Sequence, residues 1–295
     1  MVILSPMSGL RHPPPHALRV PLEDELGDVL DKAMSCAGLN PEGLAEKSGV
    51  PVTAILDAID YRPELGPEEC GRLAAALGLN EVGLCALATG KYPLPDPGGL
   101  PFRVWPLRMS HGIGVVNAYV IGAGDAGRGL LFDTGPDAAA LESVWPREIR
   151  RIDGIFVTHV EAEHVGGLAG AVERFGVSDA FIPSGACAPM GRPMGEGETF
   201  IACGLEVTAF RTPGHCALHN CYHVRSTAVP NARSLLVSGD LVFAGSAGGP
   251  YHCQRQLRAH LRRVLVAVPG DTVVAPGHGP MTSAGNELRY NPFVP

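Results

Sequence analysis

Within residues 22–92 apolar side chains recur three and four positions apart in short bursts: Leu26, Val29 and Leu30; Leu44 and Ala45; Ala54 to Ile59; Leu73 to Leu77; Val82 to Ala86. This spacing predicts a series of short amphipathic helices. The stretches Gly38-Leu39-Asn40-Pro41, Gly49-Val50-Pro51 and Gly78-Leu79-Asn80 interrupt them with residues that end a helix. From Phe102 onward the rhythm changes. Apolar runs at 115–121, 130–132, 154–158, 180–182, 205–211, 234–238 and 272–275 predict strands, and stretches near 138–144, 166–175 and 254–267 predict helices. Strands interleaved with helices predict an α/β domain whose site lies on loops beyond the strand ends. A Pro/Gly-dense stretch, residues 90–101, separates the two patterns. The expected organisation is an N-terminal arm (1–19), a helical module (20–92), a linker (93–101) and an α/β domain (102–295).

Composition narrows this picture. The 295 residues include 38 Gly and 27 Pro without any fixed period, which favours short elements and tight turns over coiled coils or helical solenoids. With 45% hydrophobic and 18% charged residues the chain is expected to pack, not to remain disordered. The net charge of −7 provides no general field for nucleic acid or anionic lipid. Cys36, Cys70, Cys85, Cys187, Cys203, Cys216, Cys221 and Cys253 form no C-x-x-C pair, so neither a disulfide framework nor a structural zinc site is predicted. The first twenty residues lack the charged start of a secretory signal, and a cytoplasmic location is expected.

The helical part resembles phage-repressor-type helix-turn-helix modules in "GLNPEGLAEKSGVPVTAI" and "LAAALGLNEVGLCAL". That resemblance implies five helices and DNA reading through a helix near 52–59. The charges point the other way. Residues 20–92 hold five basic and thirteen acidic residues, a balance of −8, and the would-be reading helix offers Pro51, Ala54, Asp57 and Asp60 where base or phosphate contacts need Arg, Lys, Gln or Asn. No nucleic-acid partner is expected; a helical accessory module, with homodimerisation as one role, is.

The most informative segment is Thr158-His159-Val160-Glu161-Ala162-Glu163-His164-Val165-Gly166-Gly167. Its four ligand-type residues, at i, i+2, i+4 and i+5, cannot share one face of a helix or a strand. In a strand-to-helix turn they can converge, and a cation would relieve their mutual repulsion. Similar Gly-rich turns follow later apolar runs: Thr212-Pro213-Gly214-His215, Ser238-Gly239-Asp240 and Ala275-Pro276-Gly277-His278-Gly279-Pro280. With "NAYV" (117–120), "FDTG" (132–135) and "NPFV" (291–294), these motifs make the chain from Phe102 onward resemble the metallo-β-lactamase fold superfamily. "SGDLVFAGS" and "PGHGPMTSAGNELRYNPFV" resemble its glyoxalase II-like subgroup most.

The resemblance implies an αββα sandwich with a dinuclear centre. His159, Glu161 and His215 would form one metal site and Glu163, His164 and His278 the other. Asp240 would bridge the ions, and Asp133 would orient ligands from outside. His219 and His223 are expected to be structural, and Tyr251, His252 and Cys253 to lie at the substrate mouth.

The motif reads H-x-E-x-E-H where hydrolases of this superfamily read H-x-H-x-D-H. Glu161 adds a carboxylate that neutralises a two-ion site and favours harder ions, iron first, with manganese or zinc as alternatives. Two functions follow. In a hydrolase, metal-activated water attacks a thioester or ester carbonyl, with Glu163 and Asp240 as catalytic groups. Alternatively, a flavodiiron-like pair binds O₂ or NO in redox chemistry or sensing. The expected partner is accordingly a small-molecule substrate or a diatomic gas, with no membrane involvement. A metal-poor binding protein is a third reading, disfavoured because all seven ligand-type residues are present.

Overall fold

The computed structural model describes residues 20–62, 64–124 and 127–295, so the expected arm over 1–19 lies outside the described residues. Five helices come first: α1 (Leu26–Ala37), α2 (Pro41–Ser48), α3 (Val52–Ile59), α4 (Pro67–Leu77) and α5 (Glu81–Ala88). Their ends follow the sequence signals. Asn40 and Asn80 cap α2 and α5 with side-chain oxygens, and Gly38, Gly49 and Gly78 close α1, α2 and α4 in the left-handed conformation.

Then come β1 (Arg103–His111), β2 (Gly114–Gly122), β3 (Arg128–Phe132), α6 (Ala138–Ser143), β4 (Arg151–Phe156), α7 (Ala162–Val165), α8 (Leu168–Phe175), β5 (Ala180–Pro183) and β6 (Arg192–Met194). The second half holds β7 (Thr199–Ala202), β8 (Leu205–Arg211), β9 (Asn220–Ser226), β10 (Leu235–Gly239), α9 (Gln254–Ala267), β11 (Val273–Pro276), β12 (Thr282–Ser283) and α10 (Ala284–Tyr290). Each half forms a six-stranded sheet, in the orders β1-β2-β3-β4-β5-β6 and β12-β11-β10-β9-β8-β7.

Three apolar clusters define the layers. Between the sheets, Phe181, Phe156, Phe132 and Tyr222 pack ring on ring, with successive centroids 4.9, 5.0 and 5.9 Å apart. Outside the first sheet, Leu141 of α6 and Leu168 of α8 cover Val120, Leu131 and Ile155. Outside the second, Leu257, Leu261 and Val264 of α9 pack over Leu236 and Val274. Coverage on both faces explains why β10 is buried at all five positions and reads as an unbroken apolar run. The expected αββα sandwich is the observed fold.

The helical module joins the third cluster. Val29, Leu44, Ile55, Leu73 and Leu84 share one core with α9 and with Leu241, Val242, Phe293 and Val294. Asn80 ties α5 to the C-terminal segment, its backbone donating to Pro292 O (2.8 Å) and its side chain to Arg289 O and Val294 O. The apolar helical faces are therefore covered from within the chain.

Candidate metal centre

Four loops, each leaving the end of a strand, meet at one edge of the sandwich. The loop after β4 brings His159, Glu161, Glu163 and His164; those after β8, β10 and β11 bring His215, Asp240 and His278. Three groups have ligand atoms within 4.8 Å of one another: His159, Glu161 and His215; His159, His164 and Asp240; and Glu163, His164 and His278. All seven residues singled out in the sequence thus come together. Asp240 stands among them, 3.4 Å from Nε2 of His164, 3.4 Å from Nε2 of His278 and 3.9 Å from Nε2 of His215. A register shift between Val237 and Gly239 aims it there.

The imidazoles share one orientation. His159 Nδ1 donates to Thr158 Oγ1 (2.9 Å), His164 Nδ1 to Asp133 Oδ2 (3.1 Å), His215 Nδ1 to Gly249 O (2.8 Å) and His278 Nδ1 to Val115 O (2.9 Å). Each ring therefore carries this hydrogen outward and turns its Nε2 inward, the outer-partner arrangement of metal-binding histidines. Nε2 of His159, His164 and His215 and Oδ1 of Asp240 are buried without a hydrogen-bond partner. Leaving such atoms unmatched costs about 1–3 kcal/mol each, and a cation at their common focus removes that cost. The residues present fit a metal centre.

Electrostatics agree. Burial alone would raise the Asp240 carboxyl, but His164 and then His278 outweigh it and hold it well below the usual carboxylate range. Burial also opposes charge on His278, yet the Asp240 carboxylate pushes it up to about 9. His159 is kept well below the usual imidazole value by burial and by His164, so it is neutral and ready to coordinate.

The family profile described as Metallo-beta-lactamase superfamily matches residues 111–289. The chain belongs to that superfamily. An uncharacterized protein of Aquifex aeolicus (strain VF5) is 27% identical over 202 residues, 61% of this chain and 92% of its own. The hydroxyacylglutathione hydrolase of Ruegeria pomeroyi is 32% identical over 165 residues, 55% of this chain and 61% of that enzyme. That of Brucella ovis is 33% identical over 150 residues, 48% and 54%. The chain thus spans little more than half the length of these two hydrolases. Among solved structures, the BLEG-1 B3 metallo-beta-lactamase matches with a TM-score of 0.51 at 25% identity, covering 65% of this chain and 99% of that one. TTHA1623 in a di-iron-bound form matches at 0.50 and 28%, covering 64% and 99%.

Metal binding is general in the metallo-β-lactamase superfamily; around this chain's centre Asp133 and Tyr251 were singled out from the sequence, whereas the contacts made by Glu23, Asp24, Lys32 and Glu287 were not legible there. Asp133, at φ +57° and buried, accepts from Thr158 N (2.7 Å), Thr158 Oγ1 (2.9 Å) and His164 Nδ1. Glu23, Asp24 and Lys32 of the helical part wall a cavity of about 180 Å³ that also faces Glu161, His215 and Asp240. Asp24 accepts from Lys32 Nζ and Ser246 Oγ, and Lys32 also donates to Ala247 O (2.9 Å). These bonds clamp the loop that ends in Gly248 and Gly249, whose backbone lies against Asp240 and His215; a Cβ at Gly248 would overlap Asp240 O. From the other side Glu287, fully buried, accepts from Gly245 N (3.1 Å), Thr282 Oγ1 (2.7 Å) and Tyr92 OH. His219 adjoins the gathered groups, its ring 5.2 Å from that of His159 and its buried Nε2 without a partner; its Nδ1 is hydrogen-bonded to Thr212 Oγ1 (2.7 Å), and burial, then His215, lower it to about 3. Tyr251 is at the mouth, its ring 5.2 Å from that of His215. Among the described residues no helix is long and apolar enough to cross a membrane.

Proposed function

We propose that the chain is a metal-dependent hydrolase that cleaves a thioester or ester at a two-metal centre. The observation that carries this reading is the set of inward-facing, unpartnered Nε2 atoms gathered around the Asp240 carboxylate. His159, Glu161 and His215 would hold one ion, and Glu163, His164 and His278 the other, with Asp240 between them. Ions bound there supply Lewis acidity and a water of lowered pKa. The chain's own residues fix the geometry: Asp133 and Thr158 orient His164 and His159, Gly249 O orients His215, and Val115 O orients His278. The cavity of about 180 Å³, lined by Glu161, His215, Asp240 and Tyr251, is the route by which a substrate reaches the centre. The hydroxyacylglutathione hydrolases among the relatives support thioester cleavage.

A second reading, a diiron redox or O₂/NO-binding protein, is favoured by Glu161, whose carboxylate lies 3.2 Å from His215 Nε2 where a neutral imidazole is usual, and by the di-iron-bound neighbour. Iron is accordingly the favoured metal. The test is a panel of acyl thioesters of glutathione and of a small neutral thiol, assayed before and after chelation. Metal-dependent cleavage supports the hydrolase. No cleavage, together with ferric absorption that bleaches on reduction, supports the redox reading. Glu161→His should shift bound metal from iron toward zinc; unchanged metal content would contradict the role given to that carboxylate.

A further inference from the structure

A second cavity, of about 350 Å³, opens at the edge of the sandwich beside β1 and β2. It falls within the size range of small-molecule sites, roughly 300–1,000 Å³. The register pairs Pro106 with Tyr119 and Arg108 with Asn117. Directly opposed residues of an antiparallel pair project to one face, so these four side chains form a continuous floor. Leu94 and Met281 help close it, and Arg108 is the one charged side chain in the lining.

One charged group in this otherwise apolar cleft has no ion-pair partner among the described residues. The arginine ion pairs leave Arg108 out. Asn117, 2% exposed, spends its Nδ2 on Pro276 O (3.1 Å) and Gly279 O (2.9 Å), which ties the floor of the cleft to the turn that carries His278. An unpaired guanidinium calls for a carboxylate, which it grips with two parallel N–H bonds. Apolar walls call for a hydrocarbon tail.

We infer that this cleft binds a small apolar carboxylic acid, its carboxylate on Arg108. The site is separate from the metal centre and lies on the far side of the turn that carries His278, since Gly279 and Pro280 line the cleft while His278 lines the metal pocket. It does not depend on which reaction the metal centre performs.

The probe is hexanoate, titrated calorimetrically into the full-length, metal-loaded chain. One site per chain is expected, with hexan-1-ol giving no heat. From butanoate to hexanoate each methylene should tighten binding about fourfold. Arg108→Met should weaken binding at least tenfold without altering metal content. Arg108→Gln, polar and of similar reach, should give the same loss, which separates the missing charge from a packing defect. Repeating the titration on chelator-stripped protein distinguishes the two carboxylate sites. An acid in the cleft survives metal removal and is lost in Arg108→Met, whereas an acid on the ions shows the reverse. Absence of heat from hexanoate, or heat that ignores Arg108→Met or vanishes with the metal, overturns the inference.

Discussion

Asp133 holds three groups at once. Its Oδ1 accepts from Thr158 N, and its Oδ2 accepts from both Thr158 Oγ1 and His164 Nδ1. In Asp133→Asn the amide would turn donors toward donors at Oδ2, and the two histidines would lose their shared orientation. Metal affinity should fall about 10–100-fold, measured by competition with a chromophoric chelator; unchanged affinity would refute the positioning role. His278 makes a second prediction at this scale. Its raised value means that in the metal-free chain its contribution to stability is complete below pH 6.5 and is lost as pH rises through about 9. Metal binding needs the bare Nε2, so at pH 7 it must expel that proton. Calorimetric heats of metal binding should therefore depend on the ionisation enthalpy of the buffer, corresponding to one or more protons released. Heats identical in all buffers would contradict it.

Between elements, the helical module reaches the centre through one loop and through Glu23, whose carboxylate lies 3.8 Å from His278 Nδ1. Asp24 and Lys32 grip Ser246 and Ala247, and the next two residues set the backbone against Asp240 and His215. Lys32→Met and Asp24→Asn should each lower metal affinity beyond any loss of stability. Leu44→Ala, in the module core but away from this loop, should cost about 2–5 kcal/mol in unfolding while sparing metal affinity. Equal effects from all three variants would reduce the clamp to ordinary packing. None of this was legible along the chain, because Lys32 and Ala247 are 215 positions apart. The seven residues that gather at the sheet edge were legible, since His, Glu and Asp crowd turns that follow apolar runs. So were the seven predicted strands and α9. β1 was not: RVWPLRMSH mixes charge with Pro106, which an edge strand paired only to β2 tolerates. β9 was hidden by polar residues whose groups find buried partners, Tyr222 OH on Val157 O and Asn220 Nδ2 on Met194 O. α10 is seven residues long, and its buried positions are Ala284 and the carboxylate of Glu287.

At the scale of the whole molecule, two sheets present their loop ends to one edge, and the helical module and the C-terminal helices brace that edge from outside. Glu161 stands where the superfamily resemblance implies a histidine, and little more than half the length of the hydroxyacylglutathione hydrolases is matched. The central claim is that this edge is a two-metal centre. Its most direct test is the metal content of the full-length chain, produced with iron, manganese and zinc all available and measured by mass spectrometry. Two ions per chain, iron predominating, and a marked drop in Asp240→Ala are predicted. A chain that retains no metal, or one whose metal content Asp240→Ala leaves untouched, would contradict the account.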